Sequence, residues 1–161
     1  MKKIMELLQN MKAKKEQKDN RGFSLVELII VIAIMAILVG IVGTQVIPYI
    51  DKSRHAKDIQ KLSGLCTDAM TAYSSNAANI DSATKYTITI GTANVTISTG
   101  TGSDKILASF NELNSYKKIA DLGLESKEGK KVKSVTITCQ NDQPMITVKT
   151  DVDTFDPITS K

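Results

Sequence analysis

The sequence predicts an α+β fold: one long N-terminal helix whose second half packs on a small antiparallel sheet. Three observations predict it. Leu28–Ile50 is 23 residues without a charge. Ile59, Leu62, Cys66, Ala69 and Tyr73 then recur at the 3-4-3-4 spacing of one helical face. Finally, Tyr86–Ile90, Val95–Ser98, Val132–Cys139 and Met145–Thr150 alternate apolar and polar residues with period two.

The chain begins with a basic stretch. Seven of its 21 Lys and Arg and three of its 17 Asp and Glu lie in residues 1–22, so the remainder carries 14 of each and no net charge. The net charge of +4 therefore belongs to the leader, and a nucleic-acid partner has no support from the body of the chain. With no Trp and three Phe, stacking platforms for single strands are also missing.

As a helix, the uncharged run spans roughly 35 Å at about 1.5 Å per residue, enough for a hydrocarbon core of about 30 Å. The basic flank predicts an N-terminus on the cytoplasmic side. A secretory signal has an apolar region of only about 7–15 residues with a small-residue cleavage site after it. Here the run is longer and the small residue, Gly22, precedes it. A plain single-pass anchor fits the run but leaves Glu27 unexplained, because a carboxylate in the membrane costs a few kcal/mol.

Gly22-Phe23-Ser24-Leu25-Val26-Glu27, followed by the apolar run and preceded by the basic leader, resembles the class III signal of type IV pilins and pseudopilins. The resemblance covers about the first third of the chain. It implies a pilin-like fold, cleavage between Gly22 and Phe23 by a prepilin peptidase, and N-methylation of the new Phe23 amine. It further implies assembly of the mature chain into a helical homopolymer by a pilus platform and its ATPase, alongside minor pilins. In that setting Glu27 neutralises a neighbouring subunit's Phe23 amine. Pairing offsets the desolvation of both charges and gives the apolar helix an axial register. The chain is held in the membrane before assembly and reaches a cell-surface pilus after it.

These readings divide the chain into a cleaved leader, 1–22, a transmembrane and filament-core helix, 23–52, and a globular head, 53–161. Gly40, Gly43 and Pro48 interrupt the helix, since Gly costs about 1 kcal/mol and Pro about 3 relative to Ala. They read either as a small-residue contact with a mild kink or as a segment that unwinds on assembly. Many pilins carry a Pro where this chain has Thr44.

In the head, Lys57, Asp58, Lys61 and Asp68 lie off the apolar stripe, and Ser74–Asn79 reads as the helix end. Gly91–Asn94 joins a first hairpin. Ile106, Leu107, Phe110 and Leu113 mark a short helix capped by Ser103 or Asp104. Gly123–Lys131 reads as a charged loop and Gln140–Pro144 as the turn of the second hairpin, giving about four strands.

Little chemistry is encoded. His55, the single histidine, reads as a solvated helix position with no ligands clustered near it. Asp151, Asp153 and Asp156 suggest calcium, which some pseudopilins bind near the C-terminus. The spacing fails the EF-hand pattern, with Phe155 in place of an acid. No Ser or Cys has an evident base, so no catalytic residue, metal or cofactor is expected. Cys66 and Cys139 read either as a helix-to-sheet disulfide or as two separate buried thiols. The function expected is that of a type IV pilus subunit, a main filament subunit rather than a minor one, in a filament for adhesion, twitching motility or aggregation. The alternatives are a pseudopilin of a type II secretion or DNA-uptake system and a single-pass extracellular binding module.

Overall fold

The computed structural model describes residues 23–160 together with Met5, Glu6 and Gln9. Gly22 and the leader's basic residues lie outside the described residues. The chain divides into two units, Met1–Ile47 and Pro48–Lys161.

Helical backbone runs from Leu25 to Ser75. It comprises α1 (Leu25–Ile41), a π-helical turn (Val42–Val46) and α2 (Ile47–Ser75). In the π turn the Ile47 N–H reaches back five residues to the Val42 carbonyl. The Thr44 hydroxyl donates to the Gly40 carbonyl at 3.0 Å. Such wide turns occur where the regular ladder is disturbed. Pro48 supplies that disturbance, because it has no N–H for the carbonyl four residues back.

The second unit is α+β. Strands β1 (Tyr86–Ile90), β2 (Val95–Ile97), β3 (Val135–Cys139), β4 (Ile146–Thr150) and β5 (Ile158–Thr159) form one antiparallel sheet in the order β2-β1-β3-β4-β5. Both expected hairpins form, and the pairing of β1 with β3 joins them. The register aligns Ile88 with Ile137 and Ile137 with Val148, so the buried positions of three strands share one face. Each such side chain contributes roughly 1.5–3 kcal/mol on burial. Thr87, Thr89, Thr136 and Thr138 alternate with them on the wetter face.

The sheet's apolar face and α2 share one core, in which Leu62, Leu65, Cys66, Ala69, Ala72 and Tyr73 are buried. The expected stripe needs two corrections. Ile59 is 41% exposed, whereas Asp58, expected off the stripe, is fully buried. The buried face is rotated by a fraction of a turn, because a loop rather than the sheet covers this end of α2.

Three further features differ from expectation, besides shifts of one residue at the end of β2 and the start of β4. β3 starts at Val135 rather than Val132, because the Lys133 and Ser134 N–H groups donate to the Asp151 carboxylate instead of to a strand. β5 adds a fifth strand, too short at two residues to show a period in sequence. Helix α3 (Ser103–Leu113) is capped by Gly102, not by Ser103 or Asp104. Gly102 has φ 77°, and a Cβ there would collide with the Asn79 carbonyl and the Ile80 side chain.

Candidate functional site

Phe23–Ile50 is exposed at every residue, although it is almost entirely hydrocarbon. Phe23 is 86% exposed, and Leu25, Val26 and Leu28 are each more than half exposed. An uncovered apolar surface of this extent needs lipid or partner helices around it. Among the described residues, this helix is the one long and apolar enough to cross a membrane.

Its N-terminus is built by Ser24 and Glu27. The Val26 N–H donates to the Ser24 hydroxyl at 3.3 Å, and the Ser24 N–H donates to Glu27 Oε2 at 2.9 Å. This is a capping box, which satisfies donors that the first turn of a helix otherwise leaves open. It places the carboxylate at the positive end of the helix dipole. Glu27 thus has a partner within its own chain, and among the described residues its second oxygen has none. Ser24 carries no role in the sequence-based expectation, although Ser-x-x-Glu before an apolar run is a legible capping signal.

Residues 17–43 match the family model of the prokaryotic N-terminal methylation motif. The chain carries a type IV pilin-like class III signal. The match spans the Gly22–Phe23 junction, the capping box and the whole of α1, and ends before the head. No curated protein and no solved structure matches the chain. The motif supports an exported protein of the pilin or pseudopilin type, and with the apolar helix it points to membrane anchoring before assembly. It also implies processing by a prepilin peptidase. The matched motif marks structural subunits rather than an enzyme family.

The remaining candidate residues fall in three places. Gly40 and Gly43 flank or occupy the π turn and, with no neighbour within 4 Å of an added Cβ, leave the helix surface open. Cys66 and Cys139 are both free and buried in the same core. Burial pushes the Cys66 thiol up, and burial followed by the charge of Cys66 pushes Cys139 up to about 12. His55 is not a freely solvated side chain: it is half-buried, with its ring centroid 4.7 Å from that of Phe155. Among the described residues, no three His, Cys, Asp or Glu side chains converge on a metal position.

One structural centre went unrecognised in the sequence. Asp58 accepts from the Glu125 N–H at 2.9 Å, the Ser126 N–H at 2.9 Å and the Ser126 hydroxyl at 2.6 Å. Asp51 accepts from the Lys127 N–H at 2.9 Å, and Lys61 donates to the Gly123 carbonyl. Three residues of α2 therefore hold the loop 123–129. Burial pushes the Asp58 carboxyl up, but the Ser126 hydroxyl, the two N–H groups and Lys61 together hold it below its ordinary value.

Proposed function

We propose that this chain is the precursor of a type IV pilus subunit. The leader, 1–22, keeps the N-terminus cytoplasmic until a prepilin peptidase cuts between Gly22 and Phe23 and the Phe23 amine is methylated. Residues 23–52 then hold the subunit in the membrane and later form the filament core, while residues 53–161 form the outward-facing head. The observation that carries this reading is the methylation motif on a wholly exposed apolar helix that holds one carboxylate in its first turn.

Glu27 provides the assembly contact. Its capping bond occupies one oxygen, and the other receives the Phe23 amine of a neighbouring subunit, so two poorly solvated charges neutralise each other. The π turn and Pro48 provide the place where the helix unwinds as lipid is exchanged for neighbouring helices. The platform, its ATPase and minor pilins drive and initiate assembly. Adhesion or twitching motility follows from the surface filament.

The test is to image the cell surface with an antibody to residues 53–161 and to weigh the labelled material. Long surface filaments built mainly of a chain beginning at methylated Phe23 are expected. Processed chain with no surface filament would overturn the pilus assignment in favour of a pseudopilin, and an unprocessed Met1 would overturn both.

A further inference from the structure

A cavity of about 660 Å³ opens between the β1–β2 turn and the last turn of α3 with the segment that follows it. Its wall includes Asn94 on one side and Asn111, Glu112, Ser115 and Lys117 on the other, around the half-buried Tyr116. Among the described residues, no hydrogen bond or ion pair uses the side chains of those first five. All of the lining residues lie between positions 93 and 117, so α2 contributes nothing to the wall.

The walls are set by backbone bonds and by one lining side chain, that of Asn114. The Ile119 N–H donates to the Gly91 carbonyl at 2.8 Å, which ties the segment after α3 to the β1–β2 turn. The Gly91 N–H donates to the Asn94 carbonyl at 3.0 Å, closing that turn. On the other side the Asn114 amide donates to the Phe110 carbonyl at 2.6 Å and accepts from the Tyr116 N–H at 3.2 Å. The cleft is thus preformed, and five of its polar side chains, those of Asn94, Asn111, Glu112, Ser115 and Lys117, are left for a ligand, which lowers the ordering cost of binding.

We propose that this cleft binds a short neutral saccharide of one or two rings. Glu112 and Lys117 cancel in charge, which disfavours phosphate and nucleic acid. The amides of Asn94 and Asn111 each present donors and an acceptor, and a pair of neighbouring sugar hydroxyls presents the same mixture. The carboxylate, the ammonium and the Ser115 hydroxyl extend that set. Tyr116 offers a ring surface for the apolar C–H face of a sugar together with a polar tip. The volume lies within the range of small-ligand sites, about 300–1,000 Å³.

The test is saturation-transfer NMR on the full chain in a zwitterionic detergent that contains no sugar, with cellobiose, lactose and N,N′-diacetylchitobiose as separate probes. At least one probe should receive saturation. Asn111→Ala should weaken it by about fivefold, the scale of one lost hydrogen bond, and Asn94→Ala with Asn111→Ala by more. These positions are exposed, so the fold is retained, as circular dichroism checks. Glu112→Gln, of the same shape, gives an independent arm and should also weaken the signal. Silence from all three probes, displacement of the bound probe by inorganic phosphate, or signals unchanged in every variant would overturn the proposal.

Discussion

The buried carboxylate of Asp58, on α2, accepts both the backbone N–H of Ser126 at 2.9 Å and its hydroxyl at 2.6 Å, across 68 residues of sequence. With the Glu125 N–H it makes three such bonds. Removing the acceptor leaves buried donors without partners, at about 1–3 kcal/mol each. Asp58→Ala should therefore destabilise the detergent-solubilised chain by about 3 kcal/mol or more, read as a lower urea midpoint. Asp58→Asn should also destabilise it, because an amide presents donors where the loop does too. The wild type carries a pH signature as well. A depressed carboxyl contributes stability that is complete above its unfolded value of about 3.8 and is lost as the pH falls from there through the lower folded value. Melting curves recorded down to that range should show the loss in the wild type and a flatter profile in Asp58→Asn.

Gly129 shares this centre. A Cβ on it would overlap Asp58 Oδ2 and crowd Leu124 and the Ser126 hydroxyl. Gly129→Ala should push the loop 123–129 off α2 and cost about 1–3 kcal/mol, an overpacking penalty. Faster amide exchange at Glu125 and Ser126 should accompany it. Unchanged exchange there would mean that the loop is held by something other than Asp58.

The two thiols are protected by their surroundings. Both are buried, and Cys139 is pushed up to about 12, so little thiolate forms near neutrality. In the reduced, folded chain at pH 8, iodoacetamide should modify neither cysteine over the time in which it modifies both in urea. Peptide masses read the outcome. Rapid labelling of either residue in the folded chain would contradict its place in the core.

Processing depends on the small residue before Phe23. Gly22→Leu should leave uncut precursor in the membrane fraction, whereas the natural chain should yield a mature form beginning at Phe23 with one added methyl group. Intact mass distinguishes the two. Efficient cutting of Gly22→Leu would remove the Gly22–Phe23 junction from the proposal.

Glu27→Gln separates the cap from the charge. The amide oxygen still accepts the Ser24 N–H, so the first turn of α1 stays closed, and a neutral group enters lipid more easily than a carboxylate. Insertion and cutting should be normal. Filament number should fall at least tenfold, because a neighbour's amine would then be buried unpaired at a cost of several kcal/mol. Ser24→Ala tests the other half: it removes a cap worth about 1 kcal/mol and keeps the charge, so filaments should persist. Ordinary filaments from Glu27→Gln would exclude the intersubunit pairing.

Features that depend on near neighbours were legible in the chain before any folding. The uncharged run, the basic leader, Glu27 within an apolar helix and the two hairpins are all patterns within about two dozen residues. Periodicity and composition express them directly. Even the Ser24–Glu27 cap was legible at that range. The tertiary structure alone decided which strand lies beside which, since the pairing of β1 with β3 joins segments separated by the whole of α3. It also decided the buried face of α2. Helical spacing places Ile59 and Leu62 on one stripe, yet Ile59 is exposed and Asp58 is buried. A charge in the interior is tolerated only when donors meet it, and here they come from Glu125 and Ser126. No local pattern around Asp58 shows that those donors return to it. The cysteines obey the same limit, because α2 and β3 bring Cys66 and Cys139 into one core through contacts that neither neighbourhood records.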